Sequence, residues 1–214
     1  MSSKTVKDAI AEVADIMATK DFADKEYMNG FKKIADFAHD AEPGTLKFCA
    51  LKPRGQANSN QVFALEHFDS QASLADHREC THVKTMLDWL LTSKPNGNYP
   101  LPIPVPLRLM PGHFVRPYIK QAHEPFITMT QIGFEPGTVE KIVLRIKAFC
   151  EEATDVEDIL MVVSGMTDNE IWITVAYKSK GVFERKGLTP NRFEVSLLNW
   201  NEQYLALEAG YFLR

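Results

Sequence analysis

Cysteine is scarce in this chain: three among 214 residues, Cys49, Cys80 and Cys150, none in a CxxC pair. That spacing argues against a disulfide framework and against a thiolate metal site, and predicts inert buried thiols. An excess of basic charge is also missing, since 24 Lys and Arg stand against 28 Asp and Glu for a net charge of −4. Without a basic cluster there is no electrostatic reason to expect nucleic acid or an anionic membrane surface as a partner. Long apolar runs are absent as well. Residues 1–20 lack the uninterrupted apolar segment of a signal peptide, because Asp8, Glu12 and Asp15 interrupt it. The expected location is therefore the cytoplasm.

What is present describes a folded domain. With 45% hydrophobic and 24% charged residues, the chain can build one large core or two small ones. Residues 10–19 alternate weakly and predict a first strand. Residues 24–41 place Tyr27, Phe31, Ile34, Ala38 and Ala41 on one helical stripe that Pro43-Gly44 ends. Strands are expected over 45–51 and 61–68, joined by the polar loop 53–60. Six of the 12 prolines fall between Pro95 and Pro111. They alternate with Leu101, Ile103 and Val105 and force an extended connector. A strand over 113–119 would complete a unit of strand, helix, strand, strand, helix, strand.

The same order follows again. Strands are expected at 126–134, 159–163, 171–177 and 204–213, with an amphipathic helix carrying Val139, Ile142, Val143, Ile146, Phe149 and Ala153. A last helix is expected from Pro190, capped by Thr189 and bearing Phe193, Leu197 and Trp200. Residues 1–119, including the connector 92–111, form the first expected unit and 120–214 the second. Glu42-Pro43-Gly44-Thr45 and Glu135-Pro136-Gly137-Thr138 are identical, yet one follows a helix and the other precedes one, so element order must set the alignment.

The chemistry concentrates between Glu66 and Leu91. Alternation puts Val62, Ala64, Glu66 and Phe68 on one strand face. Asp69 or Ser70 then caps a helix on which Leu74 and His77 share a face, and Thr81 opens a second helix with Val83, Met86, Leu87, Leu90 and Leu91 as its stripe. One pocket could thus receive Ala64, Glu66, Phe68, Leu74 and His77. Glu66 would hold the His77 imidazole as a general base, the alternative being a purely structural pair. His82, about 140° further round a regular helix, would join them only if the helix breaks at Thr81. His77 and Cys80 are spaced like two metal ligands, but no second pair accompanies them and no metal is expected.

A helix running into EPGTLKF (42–48), a strand ending in EHF (66–68), and then Ser70, Leu74, His77 and His82 in S-x-x-x-L-x-x-H-x-x-x-x-H resemble the antibiotic-biosynthesis monooxygenase domain of the dimeric α+β barrel superfamily. The resemblance implies an α+β fold of two ferredoxin-like units whose four-stranded antiparallel sheets pack as a pseudo-twofold barrel, with ligands between a sheet and its own helices. Two units in one chain would make an intramolecular pseudo-dimer, with a further homodimer left open. It also implies oxygenation of a polyphenolic or anthrone-type aromatic with no cofactor, molecular oxygen being the co-substrate, as in polyketide tailoring. The Asn and Trp of quinone-forming members are matched here by Ala64 and Phe68. The stretch that carries the haem-ligating His in haem-degrading relatives is 83–88, which has no histidine. The reading is a tailoring monooxygenase with His77, Glu66 and His82 as catalytic candidates and Ala64, Phe68 and Leu74 against the substrate. A cyclase, dehydratase or isomerase on the same fold, and a catalytically silent binding protein, are the alternatives. Val175 and Lys186 replace Glu66 and His77 in the second half, so only the first half is expected to react.

Overall fold

The computed structural model describes residues 10–17, 26–55, 61–93, 103–122, 124–135, 137–192 and 197–213. The chain divides into two compact units, Met1–Pro106 with Leu207–Arg214, and Leu107–Ala206. Element order alone places the boundary between 119 and 120; the contacts divide the chain earlier and return its end to the first unit.

The first unit contains β1 (Ile10–Met17), α1 (Glu26–Ala41), β2 (Thr45–Pro53), β3 (Gln61–Phe68), α2 (Gln71–Glu79), α3 (Thr81–Ser93) and the start of β4 (Val105–Leu109). Its strands run in the order β4, β1, β3, β2, and β3 is antiparallel to both β1 and β2. The end of β9 (Leu197–Tyr211) lies beside β2. There the Tyr211 hydroxyl donates to the Thr45 carbonyl at 3.0 Å and the Cys49 thiol to the Tyr211 carbonyl at 3.1 Å. Gly210, at φ +99°, makes this approach feasible, because a Cβ there would stand 1.8 Å from the Phe48 carbonyl oxygen. The core of the unit joins Tyr27, Phe31, Ile34 and Ala35 of α1 to Phe48, Ala50, Val62 and Ala64 of the sheet, with Met86 and Leu90 of α3.

The second unit contains β5 (Phe114–Val115), β6 (Phe126–Phe134), α4 (Val139–Thr154), β7 (Ile159–Met166), β8 (Glu170–Tyr177), α5 (Lys180–Lys186) and the first part of β9. The order β9, β6, β8, β7 repeats the fourth, first, third, second arrangement of the first unit. All of these pairs are antiparallel. The α4 stripe of Ile142, Ile146, Phe149 and Ala153 is buried against the sheet. The Arg116 guanidinium closes that helix end, donating to the carbonyls of Thr154 and Ile159 at 2.7 Å each. Val175 is buried in this core and Lys186 is exposed.

The fold class is α+β, built from two ferredoxin-like units with antiparallel sheets, as the sequence predicts. Two element expectations need correction. The fourth strand of the first unit is β4, formed by the end of the proline-rich connector, and not residues 113–119, which hold the short β5 and the 3-10 turn Pro117–Gln121. Pro106 near the start of β4 is compatible with a strand because its fixed φ is extended. The expected helix from Pro190 is only the 3-10 turn Pro190–Arg192. Leu197 and Trp200 belong to β9, paired with Phe134 and Ile132, so sheet pairing overrides their helix-like spacing; Phe193 lies outside the described residues. No helix among the described residues is long and apolar enough to cross a membrane.

Candidate active site

The site is built where α1 hands over to β2 and β3 hands over to α2. After α1 the chain turns at Pro43-Gly44, with the Thr45 amide bonded to the Glu42 carbonyl at 3.0 Å and the Asp69 amide to the Gly44 carbonyl at 2.9 Å. Ser70 caps α2 by accepting from the Ser73 amide at 3.2 Å. Leu74 and His77, three residues apart, are the buried residues of this short helix. The helix stops at Cys80, whose extended backbone still donates its N–H to the His77 carbonyl at 3.1 Å. α3 starts there on a new axis.

A cavity of about 290 Å³ lies within the first unit. The sheet contributes Glu12, Phe48, Ala64 and Glu66; α1 contributes Tyr27, Phe31 and Ile34; α2 contributes His77 and Arg78; α3 contributes Val83, Met86, Leu87 and Leu90; and Pro104 completes it. One wall is a succession of rings. Tyr27 and Phe31 are 5.2 Å apart between centroids, Phe31 and Phe48 6.0 Å, and Phe48 and the His77 imidazole 5.6 Å. Such spacing favours a flat aromatic guest.

His77 is held from behind by Glu42. Its Nδ1 donates to Glu42 Oε2 at 2.6 Å, and the same carboxylate accepts from the Thr45 hydroxyl at 2.8 Å. With Nδ1 committed as donor, Nε2 is the nitrogen left for chemistry, and it stands 4.0 Å from Glu66 Oε2 on the cavity side. The sequence assigns the orienting role to Glu66; the structure gives the hydrogen bond to Glu42, because the EPGT turn delivers Glu42 behind the ring. Glu42, His77 and Cys80 place one potential metal-ligating atom each within 4.8 Å of one another. Hydrogen bonding accounts for the trio, since the Cys80 thiol also donates to Glu42.

Glu12 and Glu66 are direct cross-strand partners on one sheet face, and the buried Glu12 is paired with Arg78 at 2.6 Å. Burial, above all, pushes the Glu66 carboxyl up to about 7 from the ordinary 4.5. His77 and Arg78 pull it down, while Glu12 and Glu42 push it up. The folded state therefore binds the Glu66 proton more tightly than the unfolded chain, and stability falls as pH rises between those two values. The penalty is absent below about 4.5 and complete above about 7, where it is on the order of 3 kcal/mol. Glu66→Gln removes it. Urea melts of variant and wild type are expected to converge near about pH 4, with the variant the more stable at about pH 8. An equal gap at both pH values would show that Glu66 does not titrate in this way.

The sequence candidates thus separate. Ala64, Glu66 and His77 line the cavity; Phe68 packs on the His77 ring at 5.3 Å; Leu74 is buried beneath. His82 is exposed and stacked on Phe37 at 4.5 Å, and it lines a different groove. The helix does break next to Thr81, at the extended Cys80, yet His82 lies against Phe37 and outside the cavity that His77 lines. Sequence reasoning missed Glu42, Glu12, Arg78 and the ring wall. Glu42 stood out only as a carboxylate beside a tight turn ahead of a strand, with nothing to show which way it points. On the opposite sheet face Lys47 donates to His67 Nδ1 at 2.8 Å, and burial lowers the amine to about 8. The cysteines are free, and burial pushes up the thiols of Cys49, Cys80 and Cys150, the last to about 11.

No family model matches the chain, and no curated protein matches it in sequence. Solved structures do. A candidate monooxygenase from Lactobacillus acidophilus NCFM superposes with a TM-score of 0.72 at 13% identity, over 97% of this chain and 100% of that one. A candidate monooxygenase from Fusobacterium nucleatum subsp. nucleatum gives 0.74 at 14% identity, over 95% and 96%. An anthrone oxidase-like protein gives 0.57 at 10% identity, over 100% and 98%. At these identities the likeness is one of fold. The chain shares its fold with these three solved proteins.

Proposed function

We propose that the protein is a tailoring monooxygenase that oxidises a phenolic or anthrone-type aromatic with molecular oxygen and no cofactor. The observation that carries this reading is the His77 imidazole, pinned at Nδ1 by Glu42 and offering Nε2 to a ring-walled cavity. Nε2 takes a proton from the activated C–H of the substrate, leaving a carbanion delocalised into the phenolic rings. The carbanion passes electrons to oxygen and forms a C–O bond to it. The resulting peroxide takes the proton back from the imidazolium. Loss of the second C–H proton then breaks the O–O bond, leaving a carbonyl and releasing water, so one oxygen atom is retained and one leaves. Arg78, the one Lys or Arg among the residues lining the cavity, is paired with Glu12 at 2.6 Å and is the cation available to the developing oxyanion. Ala64 and Phe68, where quinone-forming members carry Asn and Trp, give the cavity space and the imidazole a packing surface.

A specific observation also favours non-oxidative proton transfer. A carboxyl that titrates at about 7 within 4.0 Å of Nε2 is suited to move a proton between two substrate positions, as an isomerase or cyclase requires. Oxygen-electrode traces with anthrone and with hydroxynaphthols decide between them. Enzyme-dependent uptake of one oxygen per quinone formed supports oxygenation. Turnover unchanged under argon would replace it with proton transfer, and the absence of both turnover and ligand-induced stabilisation would leave a silent protein.

A further inference from the structure

A second depression, of about 830 Å³, lies outside the cavity between α1 and α3, with Glu26, Gly30, Lys33, His82, Met86 and Trp89 among its walls. Met86 lines both spaces. Its side chain lies across the crossing of the two helices, where a Cβ on Gly30 would meet the methionine sulfur at 2.4 Å. Gly30 is therefore the gap in α1 into which Met86 seats. A mid-helix glycine is unfavourable for the helix itself, so its place here is explained by that close approach. The aromatic lining is also continuous past this point, since Tyr27 on the cavity side is 5.9 Å from Trp89 on the groove side.

We infer that Met86 is the specificity-determining residue of the site, a movable partition between cavity and groove that sets how many fused rings a phenolic ligand can carry. With Met86 on Gly30 the cavity, at about 290 Å³, is at the small end of ligand pockets and holds a compact phenol. With the thioether swung aside, the distal rings of a longer phenol extend along Tyr27 towards Trp89 and His82. Methionine suits this role because it is unbranched, flexible and well disposed to aromatic faces. A polar-rimmed groove suits the substituted end of such a ligand.

This inference rests on the reading of the cavity as a phenol site. It is tested by titrating wild type, Met86→Ala, Met86→Val and Met86→Leu with naphthol and with the three-ring phenol alizarin, following ligand absorbance. Met86→Ala should improve the alizarin-to-naphthol affinity ratio at least about tenfold, Met86→Val less, and Met86→Leu, which keeps the volume, hardly at all. Met86→Val is the milder truncation and serves should Met86→Ala fail to fold. Naphthol binding with the same ratio in every variant would overturn the partition while leaving the cavity reading intact. Binding of neither phenol by any variant would overturn both.

Discussion

Replacing His77 by alanine or glutamine is expected to lower kcat by about two to four orders of magnitude on any substrate the cavity accepts, with the fold retained. The ring is buried between Phe48 and Phe68, yet its polar contacts point to Glu42 and the cavity and not into the core. Glutamine can still donate to Glu42, so His77→Gln isolates the lost base from any lost packing. A kcat loss with little change in KM identifies a group that acts in the transition state, whereas a matched loss of thermal stability identifies a structural one. Full turnover by both variants would remove His77 from the mechanism and direct attention to Glu66.

The second large effect is expected at Glu42, outside the cavity. In Glu42→Gln an amide N–H₂ can face Nδ1, and the ring then turns over to the tautomer with its proton on Nε2, which cannot accept one. The expected result is a loss of kcat by about two to four orders of magnitude. Glu42→Ala also leaves the Thr45 hydroxyl and His77 Nδ1 without their acceptor, at about 1–3 kcal/mol of stability. The histidine NMR signature separates orientation from damage, because Glu42→Gln should shift the His77 nitrogen resonances between tautomers while the melting temperature moves little. Retained tautomer and retained kcat in Glu42→Gln would show that the pair only packs.

Much of the scaffold could be read from the residues. The period-two alternation of Gln61–Phe68 and the 3.6-residue stripes of α1 and α4 are local signals written in buried side chains, and they gave strands and helices where the structure has them. Leu197 and Trp200 misled because the register shift between Gly133 and Phe134 lets residues three apart pair with Phe134 and Ile132 and pack on one core, a spacing that otherwise belongs to a helix. In the site, Glu66 and His77 were legible since each sits on an element whose face is set by periodicity. Glu42 was not, because it lies in a turn, where no period says which way a side chain points. The Glu12–Arg78 pair joins residues 66 positions apart, a proximity that only the strand register creates.

The first unit borrows residues 207–214 from the far end of the chain, whereas the second is one continuous segment. A ribosome therefore adds the strand that borders Phe48 and Thr45 only after everything the second unit contains. The first unit, although begun first, cannot cover its β2 flank until the last strand has been made. For that interval the nascent chain offers bare backbone to any passing strand, and it is then that chaperone demand should peak.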